Sequence, residues 1–355
     1  MITFVLALLI ALLVSFGLTP LIARVSMKLY IVDWPGSRRI HKNIIPRMGG
    51  LAIYSGFLIS AMFFLRADQQ IMALLIGGFI IILCGLLDDL MELKAVVKLI
   101  FQIAAALIII FYGGIVLTTI NLPWGIHFDF GPLAIIITLL WIVGITNALN
   151  LVDGMDGLCA GVAAIILATF SMLAYMQDRF DILLLSLILL GAVLGFLFFN
   201  FHPAQIFMGD TGSLFIGFMI AGISLLGFKT SAFLTLGPAL FILVIPILDT
   251  FLSIIRRKLK GVKIMSPDKQ HLHHTLMYKL GLSQTKTVLV IYAITFYFSQ
   301  ISYVYLLNKR MALVLLIIAL FAIELFIERT AMISKHYRPL LGLKDLLFNK
   351  KRGRL

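Results

Sequence analysis

The chain has 355 residues, 61% of them hydrophobic and 13% charged, with a mean hydropathy of +1.09. Repeated apolar runs of about 17 to 25 residues exclude a soluble globular protein, and their continuity excludes an outer-membrane β-barrel, whose strands would alternate. The net charge of +13 reports orientation in a membrane rather than nucleic-acid binding, and the two cysteines, Cys84 and Cys159, support neither a disulfide framework nor a thiolate metal site.

About twenty apolar residues cross a bilayer core. Candidate spans in chain order are 2–23, 48–65, 70–87, 96–113, 132–150, 157–176, 182–200, 212–228, 232–254, 287–306 and 311–330, about eleven transmembrane helices. The first has no basic leader and no small-residue cleavage site, so it reads as a span and not as a removable signal. The connection from Arg66 to Gln69 is short enough to require an antiparallel helix pair. Two β-prone runs around Asn121-Leu-Pro-Trp-Gly125 predict a small outer hairpin near 114–130.

Cations set the orientation. With the N-terminus outside and the C-terminus in the cytoplasm, 24 of the 29 lysines and arginines fall on inner segments. The expected fold class is therefore an all-α polytopic membrane protein. A single domain, 1–330, carries cytoplasmic loops at 24–47, 88–98, 147–157, 201–213 and 255–286. A basic cytoplasmic tail, 331–355, suits the anionic lipid of the inner leaflet.

An aspartate at the bilayer centre costs about 2.5–3.5 kcal/mol, so acids in or beside spans call for a functional reading. Asp88, Asp89, Glu92, Asp153, Asp156, Asp210 and Asp249 all fall at or near inner ends of spans. Clustered there, they suit a divalent cation with oxygen ligands. Asp88 and Asp89 point about 100° apart on a helix, which suggests one role toward metal and one toward substrate, and Glu92 lies one turn on. Asn147, Asn150, Asp153 and Asp156 recur every three residues, a polar stripe beside Gly154 and Gly157. Interhelical hydrogen bonds explain the asparagines but not two aspartates as well. Phe207-Met-Gly-Asp-Thr-Gly-Ser213 opens a helix, where Asp210 can cap the helix or hold a cation while backbone N–H groups meet phosphate. His271, His273 and His274 lie in a basic loop. Without cysteine or an evident fourth ligand they read as donors to an anionic substrate and not as a zinc site.

Together these motifs resemble the polyprenyl-phosphate N-acetylhexosamine-1-phosphate transferases over nearly the whole chain. The resemblance rests on Asp33-x-Pro35, Arg38-Arg39-x-His41 and Pro46-x-x-Gly49-Gly50 in the first inner loop, then Asp88-Asp89 with Lys98. Asn147-x-x-Asn150-x-x-Asp153-Gly-x-Asp156-Gly-Leu158, Phe207–Ser213, Pro246-x-x-Asp249 and His271-x-His273-His274 follow in order. The Arg-Arg-x-His and His-x-His-His forms look like the N-acetylglucosamine branch that initiates wall teichoic acid synthesis. They look less like the phospho-MurNAc-pentapeptide branch. Glu92 departs from members with Asp in an Asp-Asp-x-x-Asp pattern, keeping the charge.

The resemblance implies transfer of GlcNAc-1-phosphate from UDP-GlcNAc to undecaprenyl phosphate, with release of UMP. It implies Mg²⁺, or Mn²⁺ in its place, on Asp210 and Asp88, with Asp88, Asp89 and Asp210 catalytic. Lys98, Asn147, Asn150, Asp153, Asp156, His271, His273, His274, Arg38, Arg39 and His41 would bind substrate. A multi-pass protein of the cytoplasmic membrane with its site on the cytoplasmic face, surrounded by membrane lipid and forming a homodimer, is the expected setting. UDP-GalNAc or UDP-MurNAc-pentapeptide are the alternative donors. A secondary transporter is the rival class, although it would want its acids at the midplane. A non-catalytic lipid-binding scaffold leaves the Asn/Asp stripe unexplained.

Overall fold

The computed structural model describes residues 1–35, 43–121, 127–229, 236–259, 261, 271–334 and 337–342. Thirteen α-helices are found among them: α1 (Ile2–Lys28), α2 (Gly50–Phe64), α3 (Gln69–Met91), α4 (Ala95–Leu107), α5 (Ala134–Val152), α6 (Leu158–Met176), α7 (Phe180–Asn200), α8 (Gly209–Lys229), α9 (Leu236–Ile242), α10 (Val244–Leu259), α11 (Leu272–Tyr278), α12 (Gln284–Leu307) and α13 (Lys309–Thr330). A π-helical turn, Ile108–Tyr112, extends α4. Nine described segments are long and apolar enough to cross a membrane, and α2 is a shorter apolar helix. The chain is a multi-pass membrane protein.

The span expected over 232–254 is divided. Helix α9 ends at Ile242 and α10 begins at Val244. Pro246 accounts for the break, because it has no N–H to offer the Ile242 carbonyl and its ring crowds that oxygen. Beyond the break α10 runs on past 254 to Leu259, with Arg256, Arg257 and Lys258 in its last turn, where cations suit the helix dipole.

Helix α8 is the axis of the bundle: 94% of its spanning window is buried, against 22% for α1 and α13 at the periphery. It packs chiefly on α3, α5 and α2. Glycine permits that approach. A Cβ on Gly217 would lie 2.8 Å from Thr146 Cα of α5, and Gly212 meets the Gly50 backbone of α2 as closely. Helices α2 and α3 do reverse direction through the short Arg66–Gln69 link, yet they touch little, because α8 is wedged between them. Outside this centre α1 packs on α7 and α2, α6 on α7 and α12, and α12 on α9 and α13.

Two small antiparallel pairs complete the fold. Strand β3 (Thr119–Asn121) pairs with β4 (His127–Asp129), the hairpin expected near 114–130. Strand β1 (Val32–Asp33) pairs with β2 (Ile45–Pro46), which the sequence did not signal. Cys84 and Cys159 are buried free thiols.

Candidate active site

Chain direction brings the C-terminal ends of α1, α3, α5 and α7 to the same end of the bundle as the N-terminal ends of α2, α4, α6 and α8. There a cavity of ≈ 810 Å³ opens, lined among others by Asn150, Asp153, Asp156, Asp210, Arg47 and His274. Of the seven predicted acids, Asp88, Asp89, Asp153, Asp156 and Asp210 come together here and do different things, while Glu92 and Asp249 do not join them.

Asp210 stands in the first turn of α8. Its Oδ2 accepts from Lys98 Nζ at 2.8 Å and its Oδ1 from Asn150 Nδ2 at 3.2 Å. The same ammonium reaches Asp88 Oδ2 at 3.2 Å, while Asp88 Oδ1 accepts from Leu93 N at 2.8 Å. Lys98 thus bridges two carboxylates that come from α3 and α8. Asn150 also donates to Ser213 Oγ at 2.8 Å, which ties α5 to the first turn of α8.

Asp89 faces elsewhere. Its Oδ1 accepts from Asp210 N at 3.0 Å, and its Oδ2 accepts from Thr211 N at 3.1 Å and Thr211 Oγ1 at 2.6 Å. Arg47 Nη2 lies 3.4 Å from Oδ1. The carboxylate caps α8 from a different helix, which is favoured by both the unpaired N–H groups and the helix dipole. Gly209, with φ +71°, packs directly against it, and a Cβ there would collide with the Asp89 carboxylate. Glu92 does not continue the row. It is the left-handed C-cap of α3, with φ 51°, and its N–H closes onto the Asp88 carbonyl.

The polar stripe of α5 divides in the same way. Asn147 exchanges hydrogen bonds with Gln102 of α4, at 2.6 and 3.2 Å, and serves as interhelical glue. Asp153 is the C-cap of α5 and lines the cavity. Burial, reinforced by the nearby charges of Asp210 and Asp89, pushes its carboxyl up to about 8. Asp156 accepts from His202 Nδ1 at 2.7 Å and Ala204 N at 3.2 Å, fixing the loop that leads into α8.

Of the three histidines only His274 lines the cavity. His271 Nδ1 pairs with Asp249 Oδ2 at 2.9 Å, and the other Asp249 oxygen accepts from Leu272 N, holding the start of α11. His273 is buried with its ring against Gly154, where a Cβ would meet Nε2 at 2.6 Å. Burial first, then the neighbouring His274, brings its imidazole down to about 3, so it stays neutral at physiological pH. Arg38, Arg39 and His41 lie outside the described residues.

Residues the sequence reading passed over are Arg47, Asn200 and the loop from His202 to Gln205. Asn200 accepts from Gly157 N and donates to the Ile206 carbonyl, linking the turn after α5 to the approach to α8. Phe207 N donates to the Pro46 carbonyl, while Gly49 N and Gly50 N donate to Phe207 O and Met208 O. The Pro46-x-x-Gly49-Gly50 motif is therefore the clamp that seats the start of α8.

Among the described residues no three His, Cys, Asp or Glu side chains converge as a metal cage. Mg²⁺ does not require one, since it keeps several waters and takes one or two carboxylates beside substrate phosphates. Asp88 and Asp210, already sharing one ammonium, fit that demand.

The sequence profile of glycosyl transferase family 4 matches residues 71–228. The chain is 42% identical, over 96% of its length and 95% of the relative's, to a Bacillus subtilis (strain 168) protein described as a probable undecaprenyl-phosphate N-acetylglucosaminyl 1-phosphate transferase. It is 36% identical, over 79% of its length and 78% of the relative's, to the decaprenyl-phosphate N-acetylglucosaminephosphotransferase of Mycobacterium leprae (strain TN). A phospho-N-acetylmuramoyl-pentapeptide-transferase of Bacillus pumilus (strain SAFR-032) is 34% identical over 81% of this chain and 91% of its own.

Proposed function

The chain belongs to glycosyl transferase family 4, and from that premise we propose that it moves GlcNAc-1-phosphate from UDP-GlcNAc to undecaprenyl phosphate. The products are undecaprenyl-diphosphate-GlcNAc and UMP, and the step opens wall teichoic acid synthesis at the cytoplasmic face of the cell membrane. The observation that carries the reading is the Asp88–Lys98–Asp210 bridge at the edge of a polar cavity, next to Asn150 and Asp153.

An apolar cavity of ≈ 690 Å³ between α10, α11, α12 and α13 supports a lipid substrate. Helix α11 stands between the two spaces, with His274 on the polar one and Leu272 and Leu276 on the apolar one. A substrate with an anionic head and a prenyl chain suits such a divided environment.

In the reaction an oxygen of the lipid phosphate forms a bond to the β-phosphorus of UDP-GlcNAc, and the phosphoanhydride bond to UMP breaks. The attacking phosphate has a second pKa near 6, so it is largely ionised and no strong base is required. The obstacle is repulsion between anions, and the lining carboxylates Asp33, Asp156 and Asp210 add to it, whereas Asp153 keeps its proton. Bound Mg²⁺ supplies charge neutralisation for an in-line displacement. Lys98 holds Asp88 and Asp210 in register for it. Asn150 fixes the orientation of Asp210, and His274 faces the nucleotide-sugar from α11. Asp89 keeps the α8 N-terminus, and with it Asp210, in place.

UMP release by the purified protein in detergent tests the reading. It requires Mg²⁺, undecaprenyl phosphate and UDP-GlcNAc together. Release that does not depend on the lipid would contradict it, and uptake of unchanged substrate into vesicles would favour the transporter class.

A further inference from the structure

Arg47 belongs to the first inner loop, where its charge reads simply as part of the positive-inside bias. The structure gives it a more particular place. Its N–H donates to the Ile31 carbonyl at 3.1 Å and its carbonyl accepts from Ser26 Oγ at 2.8 Å, so the backbone is pinned on both sides. The side chain is 26% exposed and lines the polar cavity. Among the described lining residues it is the only lysine or arginine, in a cavity with four acidic side chains.

Its contact with Asp89 does not use up its donors. Asp89 already accepts three hydrogen bonds from Asp210 and Thr211. The Arg47 contact, at 3.4 Å, is longer than the 2.7–2.9 Å of a charge-assisted bond. A guanidinium has five N–H groups in a rigid fork that matches two oxygens of a phosphate. Asp89 anchors that fork from behind, and its open side lies on the cavity.

We infer that Arg47 binds a phosphate group of a reacting substrate through its guanidinium fork, with Asp89 as the positioning residue that aims it. The inference rests on the transferase reading. The shared chemistry is a phosphate oxyanion, which belongs either to the diphosphate of the nucleotide-sugar or to the head of the lipid. Arg47 and Lys98 then approach the first turn of α8 from separate faces of α3, because Asp88 and Asp89 diverge by about 100°. Lys98 serves the carboxylates, and Arg47 serves the substrate.

Purified Arg47→Gln and Arg47→Lys, each checked for monodispersity and melting temperature, are compared with wild type in two arms. One varies UDP-GlcNAc at saturating undecaprenyl phosphate, and the other does the reverse. Arg47→Gln should raise KM in one arm by about 10- to 100-fold, the worth of a hydrogen bond to a charged group, with a smaller change in kcat. Arg47→Lys, which keeps the charge but not the fork, should recover part of the loss. A rise in the nucleotide arm assigns the phosphate to the nucleotide-sugar, and a rise in the lipid arm assigns it to the lipid. Unchanged KM in both arms, or a fall in kcat alone that lysine fully restores, would reduce Arg47 to a counterion for Asp89 and overturn the inference. Should Arg47→Gln fail to fold, Arg47→Lys carries the test, because a several-fold KM rise is still expected from loss of the fork. A wild-type protein silent in both arms sinks the transferase reading instead. Titration with UDP and, separately, with undecaprenyl phosphate, neither of which needs turnover, then decides the arginine: weaker binding of either by Arg47→Lys supports it and equal binding of both overturns it.

Discussion

Asp88 and Asp89 are adjacent carboxylates with opposite duties, and separating them is the sharpest consequence of the structure. Asp89→Ala would strip the acceptor from Asp210 N, Thr211 N and Thr211 Oγ1, in a place where Thr211 is fully buried. Each buried donor left unpaired costs about 1–3 kcal/mol. The hydroxyl can turn to another acceptor, and removing a buried charge returns part of the cost, so a net loss of about 3–5 kcal/mol is expected. Against a total stability of about 5–15 kcal/mol, that is enough to unseat α8. Asp89→Asn keeps one acceptor oxygen but turns an NH₂ toward N–H donors, an intermediate loss. Asp88→Asn keeps an oxygen for Leu93 N and weakens the contact to Lys98, whose ammonium keeps its shorter bond to Asp210, so a smaller loss than for Asp89→Ala is expected. Thermal melts in detergent, followed by size-exclusion, should rank Asp89→Ala well below Asp89→Asn, with Asp88→Asn closest to wild type. UMP release should be lost in the folded Asp88→Asn protein. A stable Asp89→Ala protein beside an unfolded Asp88→Asn protein would refute the division of roles.

Three further outcomes follow from the site. Asp210→Asn should lower turnover by about 100-fold or more while the protein still inserts and stays monodisperse, and near-normal UMP release would remove Asp210 from the chemistry. EDTA should stop the reaction and added Mg²⁺ restore it, with Mn²⁺ as a substitute; activity that persists in EDTA would strike the metal from the account. Asp153 holds its proton to about 8 when folded, against 3.8 as the ordinary value, so the folded state binds more protons between those limits and stability falls as pH rises through them. Asp153→Asn should therefore gain in melting temperature over wild type progressively from pH about 4 to about 8 and level off above. A gain independent of pH would show that the carboxyl is not held in this way.

The spans were legible because apolar runs of membrane length leave the backbone only a helix to form. The division of 232–254 was less so, since its apolar residues continue through the break and Pro246 alone marks it. Side-chain duties were harder. Asn147 and Asn150 are the same amide three residues apart, yet one meets Gln102 and the other meets Asp210. Which neighbour each finds depends on how α4 and α8 pack, and that is not local information. Asp89 as a cap needs α8 brought to α3 from 121 residues away. The three histidines shared one expected role until α11 turned His274 to the cavity and His271 to Asp249. Arg47 was hidden among the loop cations. The glycines of Pro46-x-x-Gly49-Gly50 signalled a close approach without saying to what.

The most direct measurement is the mass of the lipid formed by purified protein, Mg²⁺ and undecaprenyl phosphate, with UDP-GlcNAc, UDP-GalNAc or UDP-MurNAc-pentapeptide supplied in separate reactions. The account predicts a new lipid heavier by one N-acetylhexosamine phosphate in the UDP-GlcNAc reaction, appearing with an equal amount of UMP. A product only from another donor would contradict the assigned sugar, and an unmodified lipid in all three, from a folded sample, would contradict the transferase itself.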